Sequence, residues 1–147
     1  GSDSPLTLDA AQMQAMLDQN PGVAAEMRQI GVADGWDLLA HWQMGTQELV
    51  EVAGDIEDNT DDNMRIEFSA PLHLHDSTSE KNFEVLLPLS RAAPLEGVDA
   101  NLALGLAYAK REQWGRARIC AQRVVTADPT NEQGWVLAQQ AEEGMGE

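Results

Sequence analysis

Asp99-Ala-Asn-Leu-Ala-Leu-Gly-Leu-Ala-Tyr-Ala-Lys-Arg-Glu-Gln-Trp-Gly-Arg-Ala-Arg-Ile-Cys-Ala-Gln-Arg-Val-Val-Thr-Ala127 carries the strongest helical pattern of the chain, and its reading decides the fold. Leu102, Leu104, Leu106 and Tyr108 fall within one helix expected to end near Gln113. Ala117, Cys120, Ala121, Val124 and Val125 form the apolar stripe of the next. Asp128-Pro129 stops that helix, because a residue before proline is pushed out of the helical region. Asn131 caps a third helix containing Trp135, Leu137, Ala138 and Ala141, and Gly144 to Glu147 should fray.

Upstream, Pro94 to Gly97 reads as a linker. Ser77-Thr78-Ser79 caps a helix with Glu80 in its first turn and Phe83, Leu86, Leu87 and Leu89 on its apolar face, which Pro88 should kink or end after two turns. Before it, Asn59-Thr-Asp-Asp-Asn-Met-Arg-Ile-Glu-Phe-Ser-Ala-Pro71 divides the chain. Ile66-Glu67-Phe68 alternates apolar, polar, apolar, and Leu72-His73-Leu74-His75 continues the alternation, so an extended segment is expected near 64–75. Gly54 to Asn63 reads as an exposed acidic loop.

The first half is a series of short helices. Thr7 or Asp9 caps one with Met13, Met16 and Leu17 on its apolar side. Pro21 opens a second, with Val23, Ala24, Met27 and Ile30, stopped at Gly31. Asp34 caps a third through Trp36, Leu39, Ala40 and Gln43, and Gln47 to Val52 is a fourth. Each has a narrow apolar stripe, so each depends on neighbours for stability.

The net charge is -16, with thirteen acidic residues against Arg28 alone in residues 1–62. Such a surface repels phosphate backbones, which argues against nucleic acid as a partner, and attracts cations, polyamines or basic protein faces. A single cysteine excludes an internal disulfide and fits a reducing compartment. No apolar run approaches the roughly 20 residues that cross a bilayer, and no signal peptide is evident. Gly1-Ser2 reads as a remnant of cloning; with no initiator Met, a domain cut from a longer protein is expected.

Leu104-Gly105, Tyr108, Ala117 and Pro129 fall at the spacings of a tetratricopeptide repeat, which this region resembles; its unit is a helix hairpin of about 34 residues. Counting Val98 as position one, Gly105 allows close helix approach, Ala117 is the small residue facing it, Trp114 takes a place often aromatic, and Trp135 starts a second unit where the family favours Trp. Asn101 stands where the first Trp is usual and Ala121 where a large aromatic is usual, and the second unit lacks its second helix.

Asn59 to Asn63, with Ile66-Glu67-Phe68 and Ala70-Pro71, resembles a segment near the end of bacterial spermidine synthase-like domains fused behind membrane helices. The upstream helices, through Leu38-Leu39-Ala40 and Glu48-Leu49, are similar to what precedes that segment. The resemblance implies an aminopropyltransferase parent with a Rossmann-like core that uses decarboxylated S-adenosylmethionine and a polyamine. The glycine-rich loop of such a core does not occur here, and Gly144-Met-Gly146 sits at the chain end.

The acidic loop from Asp55 has Thr60 and Ile66 where a calcium-binding EF-hand needs Gly and Glu. His73 and His75 lack an identifiable third metal ligand. His41, among apolar residues, reads as a packing residue, Trp36 and Trp42 as core, and Cys120 as a packed thiol with no activating base.

The expectation is a mainly α fold: a helical bundle with a C-terminal tetratricopeptide-like hairpin and one short extended segment. Residues 6–76 form an acidic helical region and 77–147 the repeat-like region. No cofactor or catalytic residue is expected. The expected function is that of a non-catalytic interaction or regulatory C-terminal region of a spermidine synthase-like protein, tethered through its parent on the cytoplasmic side of the inner membrane. Its partner would be a protein or the parent's own catalytic core. The alternatives are that Asp61, Asp62 and Glu67 complete a polyamine site on that core, since carboxylates suit cationic amines, or that the chain is a free-standing scaffold; weak polyamine binding belongs to the first of these.

Overall fold

The computed structural model describes residues 7–54, 86 and 90–146, and these residues are mainly helical. The expected extended segment at 64–75, most of the acidic loop and most of the helix after Ser79 lie outside the described residues, as do Asp61, Asp62, Glu67, His73 and His75. The chain divides into two units, residues 1–43 with 91–147, and residues 44–90.

In the first unit, α1 spans Ala10–Gln19, α2 Pro21–Gln29 and α3 Gly35–Leu39. Local chemistry sets their starts. Asp9 Oδ1 accepts from the N–H groups of Ala11 and Gln12, satisfying two of the donors a helix start leaves open. Pro21 occupies the first position of α2, where its missing N–H costs nothing. Asp34 Oδ1 accepts from Asp37 N at 2.8 Å. Gly35, which no local sequence pattern marks, is where α3 meets α1: a Cβ there would lie 2.1 Å from the Ala10 carbonyl oxygen.

In the second unit, α4 spans Thr46–Ala53, and the Gly45 N–H donates to Glu48 Oε2 at 2.9 Å. Leu49 and Val50 of this helix are exposed.

Returning to the first unit, α5 spans Val98–Ala109, α6 Trp114–Ala127 and α7 Glu132–Met145. The first of these ends four residues before Gln113, because Lys110 to Glu112 turn, with Glu112 at a φ of 58°. Asn131 Oδ1 accepts from Gly134 N and caps α7 as expected. The core joins Leu39, Ala40, Leu104, Tyr108, Cys120, Ala121 and Leu137 with further alanines. Alanine at so many contacts lets backbones approach closely, so the packing is tight rather than bulky. Helix α5 packs on α6, α6 on α7, and both α3 and α7 touch α5.

Candidate interaction groove

The hairpin of α5 and α6 forms the site's frame. Leu104, Gly105, Tyr108 and Ala117 are all buried in it. A Cβ on Gly105 would come 2.6 Å from Leu137 Cδ2, 3.0 Å from Cys120 Cβ and 3.7 Å from the Ala117 carbonyl oxygen. The glycine therefore faces Leu137 and Cys120 more closely than Ala117, because α7 also closes over α5. Pro129 is exposed in the turn after α6. Trp135 is 56% exposed, and its Nε1 donates to the Pro129 carbonyl at 3.0 Å.

Lys110, Arg111 and Arg116 of the hairpin are engaged within their own unit. Lys110 Nζ lies 2.7 Å from Asp37 Oδ2. Arg111 donates to the Gly31 carbonyl and contacts His41 Nε2, and His41 is exposed rather than packed, because the turn after α3 carries it outward against that guanidinium. Arg116 donates to the Trp42 carbonyl at 2.9 Å and to Gln43 Oε1 at 2.6 Å, and its guanidinium carbon stands 5.5 Å from the Tyr108 ring centre. Trp36 and Trp42 are partly buried against the core.

The stretch 91–97 is strapped to the same hairpin. Ala93 donates its N–H to the Tyr108 hydroxyl at 3.1 Å, and its carbonyl accepts from Arg123 at 2.7 Å. Asn101 Nδ2 donates to the Leu95 and Gly97 carbonyls at 2.9 and 2.8 Å, and Asn101 is 3% exposed. This accounts for a buried polar residue at position 101: the side chain holds two backbone carbonyls of the strap.

Beyond these ties, α5, the start of α6 and α7 border an open groove of about 530 Å³. Leu106, Ala109 and Lys110 come from α5 and its end, Trp114 from α6, and Gln140, Glu143 and Gly144 from α7. The Trp114 indole rests on Gly144, where a Cβ would lie 2.4 Å from Cε2. Leu106 is 51% exposed, an apolar surface that helix packing leaves open. The groove residues were not singled out from sequence, apart from Leu106 and Trp114. Leu106, Ala109 and Lys110 precede Gln140, Glu143 and Gly144 by 34 positions, a spacing that the sequence shows.

Among the described residues, no group of three His, Cys, Asp or Glu side chains is placed to hold a metal ion, and no helix is long and apolar enough to cross a membrane. Burial pushes the Cys120 thiol up to about 11, so it is a packed thiol and not a poised nucleophile. No protein-family model matches the chain, and no curated protein or solved structure matches it.

Proposed function

We propose that this chain is a non-catalytic protein-interaction region whose working surface is the groove between α5 and α7 of a tetratricopeptide-like array. The observation that carries the reading is the repetition of the groove walls. Helices α5 and α7 begin at Val98 and Glu132, 34 residues apart, and the wall residues repeat at the same spacing. Parallel, equivalent helices that leave a groove between them make a surface for a partner segment rather than an enclosed site for chemistry. The groove's volume falls within the range that holds a few side chains.

The spermidine synthase-like parent, its membrane tether and a polyamine role for Asp61, Asp62 and Glu67 rest on the sequence resemblance alone, which centres on residues 59–71 and takes in the helices before them. In that setting the groove would engage the parent's catalytic core or a separate protein. The test has two arms. Purified chain is assayed with decarboxylated S-adenosylmethionine and putrescine, where turnover would overturn the non-catalytic reading. Chain carrying Leu106→Glu and Val136→Glu is compared with wild type in affinity capture; a partner held by wild type and lost by the variant supports the groove, and identical captures count against it.

A further inference from the structure

We infer that the groove selects a cationic amphipathic segment of a partner protein, with an arginine or lysine directed at Glu143 and Trp114 and apolar side chains on Leu106 and Ala109. This rests on the interaction reading above and adds the chemistry of the partner.

The charges bordering the groove are unequal in availability. The ammonium of Lys110 is already 2.7 Å from the nearly buried carboxylate of Asp37, so its charge is answered within the chain. Glu143 lines the groove too, and its Oε1 accepts from the neutral Gln139 amide at 2.9 Å rather than from a basic side chain. Glu132 lies about three turns before Glu143 on the same side of α7, Glu142 adjoins Glu143 in the chain, and both Glu132 and Glu142 are exposed. After Arg123 the sequence holds no basic residue, while Asp128, Glu132, Glu142, Glu143 and Glu147 follow. The α7 side of the groove thus carries one carboxylate, Glu143, on a helix whose charged residues are all acidic.

The same wall is apolar along its edge. Val136 is 55% exposed and precedes Gln140, Glu143 and Gly144 at helical spacing on one face. Opposite, Leu106 is half exposed, and Trp114 lines the groove with its ring braced on Gly144. An indole and a carboxylate lining one groove suit a guanidinium, which stacks on the ring while donating to the carboxylate. Leucine-like side chains suit Leu106, Ala109 and Val136. A purely acidic segment would be repelled, and a purely polar one would leave the apolar edge wet.

The test is a titration of the full chain, at physiological salt, followed by amide and indole NMR. The probes are three short peptides with leucines at helical spacing and arginine, glutamine or glutamate at the remaining positions. The arginine peptide is expected to shift the resonances of Leu106, Glu143 and the Trp114 indole N–H. Glu143→Gln with Glu142→Gln should weaken it by about tenfold, while the control Glu26→Gln on α2 changes affinity less than about twofold. Equal weakening by the control would reduce the effect to diffuse charge and overturn the inference. Equal binding of the glutamine peptide in the groove would overturn the cation preference while leaving the interaction reading standing. No groove shifts with any peptide would overturn both. Groove shifts on simple dilution of the chain would make a second copy the occupant and overturn the inference as well. Both glutamates are exposed, so their neutral replacements leave the fold intact, which circular dichroism checks.

Discussion

Lys110 Nζ meets Asp37 Oδ2 at 2.7 Å, joining the end of α5 to α3 across 73 positions of sequence. The Asp37 side chain is 3% exposed and that of Lys110 58%, so the pair is a buried acid answered from the surface. Its second acceptor duty is to the Ala33 N–H at 2.9 Å. Replacing Asp37 with Ala leaves that N–H and the ammonium without their acceptor, and is expected to destabilise the chain by about 1–3 kcal/mol. Lys110→Met removes only the exposed partner from one side, and the double variant should cost less than the two single losses together. Urea denaturation of the four proteins checks this; strict additivity would mean that the contact contributes nothing.

The acid limb of stability follows from the same site. Burial acts to raise the Asp37 carboxyl, but the Lys110 hydrogen bond, the Ala33 N–H and the charges of Lys110 and Arg111 hold it below its ordinary 3.8. Burial and the Arg111 charge lower His41 below 6.5, against the smaller pull of Asp37. Both folded values are depressed, so the unfolded chain binds more protons in each window, and stability rises with pH there. The histidine contribution is present above 6.5 and lost as pH falls through its folded value; the aspartate contribution is present above 3.8 and lost below it. His41→Gln should flatten Tm against pH in the upper window alone. An unchanged slope between neutral pH and pH 5 would show that the Arg111 contact is energetically silent.

Gly105 gives the most direct check of the helix packing. With Leu137 Cδ2 and Cys120 Cβ within 3.0 Å of any added Cβ, Gly105→Leu should destabilise by roughly 1–3 kcal/mol or more. Adding Leu137→Ala to Gly105→Ala should recover part of the loss by making room. Melting curves decide, and a Gly105→Leu chain with unchanged Tm would contradict close packing of α5 against α6 and α7.

The contrast between what was and was not legible follows contact range. Asp9, Pro21, Asp34 and Asn131 act on backbone within three residues, and the sequence placed these helix starts. The stripe of Ala117, Cys120, Ala121 and Val124 is periodic, and all four are buried. The Asp37–Lys110 pair, the Arg116 bonds to Trp42 and Gln43, and Gly35 under α1 depend on which helices meet, which no local pattern encodes. Asn101 stood out only as a departure from the repeat, and its reason is the strap it holds. The groove is half legible: the 34-residue spacing can be read from sequence, but the exposure of Leu106 and the meeting of Trp114, Lys110 and Glu143 in one groove emerge only once α5 and α7 lie side by side.

Asn101 should be intolerant of apolar replacement despite its burial. Asn101→Leu strips the donors from the Leu95 and Gly97 carbonyls and the acceptor facing Arg123 at 3.3 Å. A loss of about 1–3 kcal/mol is expected, with faster tryptic cleavage after Arg91 as the strap loosens. Unchanged stability and cleavage would mean that the strap is held by Tyr108 and Arg123 alone.

Cys120 reports on the alkaline limb and on the integrity of the core at once. It is fully buried between the helices, and burial raises its thiol from 9.0 to about 11, with Arg123 pulling weakly the other way. Tyr108 is raised above 10.0 for the same first reason, burial. A raised folded value means that the folded chain holds its proton longer, so this stability is complete below pH 9 and is lost as pH climbs through about 11. Two pH units correspond to roughly 3 kcal/mol. Cys120→Ala should therefore lessen the fall in stability between pH 9 and 11, at the separate cost of a small cavity. At pH 8 the native thiol should react with an alkylating reagent about a hundredfold more slowly than an unfolded one, from thiolate population alone, and more slowly still through burial. With only one cysteine in the chain, labelling kinetics in increasing urea then track opening of the α5–α6–α7 core. Rapid labelling of the native chain at pH 8, independent of urea, would show that this core opens without global unfolding.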